Sequence, residues 1–141
     1  VLEVGCGRGI ALAALDRHCA PSRLVGLDID RALLTEARES LEADCVSAEL
    51  IASDLRCMPF PDAAFDLVID FGTCYHVSRR EEALREIHRV LAPGGIFATE
   101  TPLAQALAHP IRTQGKALPW HAVPDMTLRH DAVLWASWKK G

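Results

Sequence analysis

The first nine residues, Val1-Leu2-Glu3-Val4-Gly5-Cys6-Gly7-Arg8-Gly9, constrain this chain more than any other stretch. An apolar run of strand length meets three glycines at alternate positions, and a helix-like segment follows from Ile10. That order predicts a buried strand, a tight turn and a helix start. Glycine has no Cβ, so such a turn admits unusual dihedrals and lets bare backbone approach a ligand. The helix start directs free N–H groups and a positive dipole end at the same space. A site for a nucleotide-type ligand is implied, and acidic residues downstream bear on which one.

The alternation of strand and helix continues along the chain, which implies a parallel sheet covered on both faces. Strands are expected at 1–4, 23–28, 49–53, 65–71 and 96–100, and helices at 10–18, 31–43 and 79–91. Leu33, Leu34, Ala37 and Leu41 fall on one face of the second helix. Asp30 stands where its N-cap belongs. Ser78 is expected to cap the third helix, and Pro93-Gly94-Gly95 to stop it. Residues 57–64, with Pro59 and Pro61, read as a loop.

Beyond residue 100 the pattern weakens. Residues 101–131 read as a variable, substrate-side segment and 132–141 as a closing strand. No linker interrupts the chain, so 1–141 reads as one domain with its core in 1–100. The expected class is α/β, Rossmann-like, with a mostly parallel sheet and helices on both faces. Because Val1 already lies within the first strand, a helix ahead of that strand is expected to be missing.

Bulk properties exclude several partners. The chain has 141 residues, half of them hydrophobic, which is enough for one real core. Its net charge is −4 and no basic run exceeds two residues, which argues against a nucleic-acid groove. No apolar run reaches the length of a membrane span. Five cysteines, at 6, 19, 45, 57 and 74, are odd in number and form no CxxC pair. Reduced thiols and a cytoplasmic location are the expectation.

Open parallel sheets bind ligands beyond the carboxyl ends of their strands. The glycine turn, Asp28, Asp54 and Asp70 all fall at such ends. An acid after the second strand can accept both ribose hydroxyls, and one after the third can accept an exocyclic amine of adenine. An adenosine fits that row. A nicotinamide-dinucleotide fingerprint would need G-x-G-x-x-G, and here Ile10 stands where its third glycine would fall.

With these residues the chain resembles the class I S-adenosylmethionine-dependent methyltransferases over residues 1 to about 100. Five segments carry the resemblance, in the family's order. They are the glycine-turn segment, Gly26-Leu27-Asp28-Ile29-Asp30, Ser53-Asp54-Leu55 with Met58-Pro59-Phe60-Pro61-Asp62, Phe65-Asp66-Leu67-Val68-Ile69-Asp70, and Leu84 through Gly95. The resemblance implies that Gly5 and Gly7, with Cys6 and Gly9 in the same turn, hold the methionine part of the cofactor. Glu3 would assist its ammonium, Asp28 would hold the ribose and Ile29 would pack on adenine. Asp54 would accept from the adenine amine beside the Leu55 N–H, and Asp70 and Phe71 would lie near the sulfonium and acceptor. The cofactor implied is S-adenosylmethionine, with S-adenosylhomocysteine as product.

Methyl transfer from a sulfonium is an in-line displacement on an already activated carbon. Positioning alone can supply roughly 7–11 kcal/mol. A base adds about 10²–10⁴-fold only when the acceptor must lose a proton in the slow step. Tyr75 and His76 are the candidates for that role. Asp70 and Glu100 supply two carboxylates at neighbouring strand ends, an incomplete magnesium shell, so no metal is assigned. Cys6 and Cys74 read as small buried fillers rather than nucleophiles. The expected function is methyl transfer to a small-molecule acceptor, without nucleic acid or membrane. The alternative is a truncated or non-catalytic cofactor-binding domain.

Overall fold

In a computed structural model of the chain, residues 1–100 and 135–141 are described. They form β1 (Leu2–Val4), α1 (Ile10–Cys19), β2 (Val25–Asp28), α2 (Arg31–Ala43) and β3 (Glu49–Ala52) in the first half. β4 (Phe65–Asp70), a 3-10 turn (Thr73–Tyr75), α3 (Arg80–Val90), β5 (Leu91–Glu100) and β6 (Trp135–Lys139) follow. The six strands run in the order β3-β2-β1-β4-β5-β6. The first five are parallel, and β6 pairs antiparallel with β5.

The period-2 alternation of strand side chains sorts the core into two layers. Leu2 and Val4 of β1, Val25 and Leu27 of β2 and Val68 of β4 join Ala83, Ile87 and Val90 of α3 on one side. Leu50 of β3 and Leu67 and Ile69 of β4 face the other way, with Leu12 and Leu15 of α1 and Leu34 and Leu41 of α2. Helices therefore cover both faces. Gly26 belongs to the second layer, where a Cβ would meet Leu12 and Cys6 at 2.6–2.8 Å. This close approach of α1 to β2 draws the glycine turn over the strand ends.

Asp30 caps α2 as expected, accepting from the N–H groups of Ala32 and Leu33. Ser78 does not cap α3. Arg79 occupies that position in a left-handed conformation with no side-chain cap, and the Ser78 hydroxyl accepts from Arg56 instead. Nor does Pro93-Gly94-Gly95 stop the helix. α3 ends at Val90, and β5 already includes that tripeptide, with a register shift against β4 between Phe65 and Leu67. Lys140 makes the earlier stop possible, because its Nζ donates to the carbonyls of His88 and Leu91 at the helix end. Of the expected closing strand, residues 135–139 form β6. Residues 101–134, with His109, His121 and His130, lie outside the described residues.

The loop between β3 and β4 is pinned by one guanidinium. Arg89 donates to the carbonyls of Phe60 and Met58 and to the carboxylates of Asp62 and Glu86, and Glu86 accepts from the Met58 N–H. Asp62 thus serves as a turn residue with a partner on α3. All five cysteines are free thiols, with Cys6 and Cys74 buried.

Candidate active site at the sheet switch point

Strand order reverses between β1 and β4, because β1 is followed by β2 on one side and β4 lies on the other. A crevice opens beyond the carboxyl ends at such a point. A cavity of about 230 Å³ sits there. Its walls come from Gly5 after β1, Leu27, Asp28 and Ile29 at the end of β2, and Ser53 to Arg56 after β3. Thr73 and the segment His76 to Ser78 close the remaining side.

The glycine turn is built as its sequence requires. Gly5, Gly7 and Gly9 have φ of 68°, 52° and 77°, values in the left-handed region that glycine adopts without Cβ strain. The N–H groups of Gly5 and Cys6 both donate to the Leu27 carbonyl, at 2.7 and 3.0 Å. The Gly7 N–H donates to Asp28 Oδ2 at 2.8 Å, and Asp28 Oδ1 accepts from the Asp30 N–H at 2.9 Å. Asp28 therefore fixes the turn and also faces the cavity.

The three glycines have different surroundings. A Cβ on Gly5 would lie 1.8 Å from Thr73 Oγ1 and 2.5 Å from Thr73 Cβ. A Cβ on Gly7 would meet nothing within 4 Å, while one on Gly9 would touch Ala37 and Leu41 of α2 at 3.3 Å. Gly9 is thus a helix-packing position. Replacing Gly5 with alanine is expected to cost about 1–3 kcal/mol through strain and overpacking, read as a lower urea midpoint.

The expected site residues divide into two groups. Gly5, Asp28, Ile29, Asp54, Leu55 and His76 line the cavity. Ile29 is 69% exposed, so its apolar side chain stands open at the cavity. Glu3, Cys6, Gly7, Gly9, Asp70, Phe71 and Tyr75 are not among its walls. Cys6 packs in the α1–α2 core, and burial raises its thiol pKa to about 12. Burial also pushes the Cys74 thiol up, with Asp70 adding to the effect. Neither thiol is suited to nucleophilic chemistry.

Asp70 is fully buried. Its carboxylate accepts from the N–H groups of Thr73 and Cys74 and from Thr99 Oγ1, at 2.6–3.4 Å. It thereby builds the 3-10 turn that carries Thr73 and leads into His76. Tyr75 follows Asp70 structurally. Burial raises its phenol pKa to about 12, the nearby Asp70 contributing, and the Arg80 guanidinium lies 5.9 Å from its ring centroid. Among the two catalytic candidates, only His76 reaches the cavity wall.

Glu3 is the most perturbed carboxyl among the described residues. It is 3% exposed and its Oε2 has no hydrogen-bond partner. Burial first, then the charges of Asp28 and Asp70, raise its pKa to about 8. Asp54 shows the opposite behaviour. The Arg56 side chain and backbone N–H both donate to it and hold its pKa down at about 2.

Four residues of the cavity wall lie outside the motifs and the site candidates read from the sequence: Arg56, Thr73, Val77 and Ser78. An arginine two places after a turn aspartate was the available hint for Arg56, since Asp side chains commonly accept from the backbone N–H two residues on. Thr73 is brought in by the 3-10 turn, and Val77 and Ser78 by the segment that follows it.

Comparison with known proteins shows the family to which this fold belongs. A family described as "Methyltransferase domain" matches residues 2–99. A probable S-adenosylmethionine-dependent methyltransferase of Mycolicibacterium smegmatis is 36% identical over 102 residues, 72% of this chain and 37% of that protein. A fatty-acid O-methyltransferase of the same organism is 35% identical over 97 residues, 69% of this chain and 35% of that one. The crystal structure of the PH0226 protein from Pyrococcus horikoshii superposes with a TM-score of 0.67 at 29% identity, covering 85% of this chain and 57% of that one. The fold and site define a Rossmann-like nucleotide-cofactor domain. The chain belongs to the class I S-adenosylmethionine-dependent methyltransferase family. It spans little more than a third of the length of these two curated relatives.

Proposed function

We propose that this chain binds S-adenosylmethionine in the switch-point cavity and serves the transfer of its methyl group to a small-molecule acceptor. The observation that carries the reading is the order of groups along the cavity. Backbone at Gly5, a carboxylate at Asp28, an exposed apolar side chain at Ile29 and a second carboxylate at Asp54 follow one another across β1, β2 and β3. An adenosine has ribose hydroxyls, an apolar ring face and an exocyclic amine in that order. The bound cofactor would supply the activated methyl group.

On this reading Glu3 stands beneath the glycine turn as the acid nearest the cofactor ammonium. Gly7 keeps its side of the turn open for the methionine portion. Cys6 and Gly9 act through packing that sets the turn, and Asp70 acts by shaping the segment that carries Thr73 and His76. Phe71, 41% exposed, supplies apolar surface near the acceptor side. His76 is the group placed to take a proton from an acceptor that must lose one. The net charge of −4 and the fatty-acid substrate named for one relative support a small molecule as acceptor. No helix among the described residues is long and apolar enough to cross a membrane.

Asp28→Ala tests the site. Loss of a charge-assisted hydrogen bond to the ribose is expected to weaken S-adenosylhomocysteine binding by about 1.5–3 kcal/mol in calorimetric titration. Unchanged affinity in a folded variant would remove the ribose from this carboxylate. Turnover is tested by release of S-adenosylhomocysteine from S-adenosylmethionine across a panel of fatty acids, phenols and amines. Acceptor-dependent release is expected, and its absence in a chain that binds cofactor would contradict the catalytic part.

A further inference from the structure

We propose that Arg56 is a positioning residue that orients the Asp54 carboxylate to select an exocyclic amine over an oxo group in the cavity. The inference rests on the adenosyl reading of the cavity given above.

Asp54 and Arg56 both line that cavity and are each about one-third exposed or less, at 32% and 25% of the side chain. Four contacts join them. Asp54 Oδ1 accepts from the Arg56 backbone N–H at 2.8 Å and from Nε at 2.9 Å. Oδ2 accepts from Nη2 at 2.5 Å and, more weakly, from Nε at 3.1 Å. The remaining arm, Nη1, donates to Ser78 Oγ at 3.2 Å. The guanidinium thus bridges two walls of the cavity.

A carboxylate offers about four lone-pair directions. Both directions on Oδ1 are taken by strong contacts. The single Nε–H is shared between the two oxygens, so three protons serve the four directions and one direction, on Oδ2, is left available. Arginine's planar fork holds a carboxylate in a fixed plane, unlike a lysine point charge. The same contacts keep Asp54 ionised, hence an acceptor only. An ionised acceptor in a fixed orientation attracts an N–H₂ group and repels an oxo lone pair. Without the Arg56 guanidinium only the backbone N–H of residue 56 would hold the carboxylate, its plane would no longer be fixed, and its selectivity would fall.

The test is binding of two ligands that differ at one position, S-adenosylhomocysteine with a 6-amino group and S-inosylhomocysteine with a 6-oxo group. Both are titrated against the wild-type chain, Arg56→Ala, Arg56→Lys and Asp54→Ala. The wild type is expected to prefer the amino ligand by about tenfold or more, the worth of one charge-assisted hydrogen bond. Arg56→Ala is expected to lose most of that preference through weaker binding of the amino ligand, with the oxo ligand little changed. Arg56→Lys is expected to recover only part of it.

Equal weakening of both ligands in Arg56→Ala would make Arg56 a plain wall of the cavity and overturn the proposal. Tighter binding of the amino ligand in that variant would overturn it too, since the guanidinium would then be blocking the site. Failure of the underlying reading looks different. If Asp54→Ala keeps the full preference, adenine does not meet Asp54, and if the wild type binds neither ligand, the adenosyl assignment itself falls.

Discussion

Asp70→Ala is expected to lower the stability of the chain by about 3–5 kcal/mol, because it strands the donors that this buried carboxylate now satisfies. Those donors are the N–H groups of Thr73 and Cys74 and the Thr99 hydroxyl. Asp70 itself has no solvent exposure, so water cannot readily replace the lost acceptor. The loss should be local in origin and global in effect. The 3-10 turn at Thr73–Tyr75 starts from Gly72 with no side-chain cap of its own, so its N-terminal end depends on Asp70. Urea unfolding checks the prediction, with a lower midpoint at an unchanged slope. Asp70→Asn should retain part of the stability, since an amide oxygen can still accept. A change below about 1 kcal/mol in the alanine variant would mean that the three contacts are not a stabilising unit.

The second large effect is a stability that declines with pH because of Glu3. Its native pKa of about 8 lies above the value of 4.5 expected of a free glutamate. Between those values the native state holds a proton that the unfolded state has released. Stability therefore falls as pH rises across that window. Glu3's contribution is complete below about pH 4.5, falls as the pH rises from there, and is gone above about pH 8. The size is about 3–5 kcal/mol across the window. Glu3→Gln should flatten this part of the profile, measured as urea midpoints from pH 5 to 9. A wild-type profile that rises through the same interval would contradict the burial argument.

The same carboxyl couples to binding on the proposed reading. An ammonium placed beside Glu3 favours its ionised form, so the ligand should bind more tightly as pH rises toward 8 and should release a proton on binding. The buried Oε2 has no protein partner. A cationic ligand would supply what the fold does not.

Much of this was legible in the residues themselves. The span 31–43 of α2 follows from Asp30 as cap and from four apolar residues at helical spacing, and both act locally. β1, β2 and β3 follow from short apolar runs bounded by turn residues, with ends displaced by one or two positions. The glycine turn was readable because three left-handed positions need three glycines. The Ser78 and Pro93-Gly94-Gly95 readings failed for a common reason. Each assumed that the nearest local signal decides, whereas tertiary partners do. Arg56 reaches Ser78 from the loop after β3, and Lys140 satisfies the end of α3 from beyond β6.

The candidate site divides along the same line. Asp28 and Asp54 were visible because strand ends can be counted along a sequence. The 3-10 turn was not, since it depends on a carboxylate whose donors lie on two other segments. For Arg56 the only hint was its spacing from Asp54, because its place in the site depends on which way a loop faces. Glu3 was visible as a motif acid, but its isolation from hydrogen-bond partners is a property of the packed sheet.

Calorimetric titration of this chain with S-adenosylhomocysteine, beside NAD, decides whether the switch-point cavity takes an adenosyl cofactor. Binding of the first ligand alone is expected, with a dissociation constant in the micromolar range, about −8 kcal/mol. A folded chain that binds neither ligand, or one that binds NAD, would contradict it.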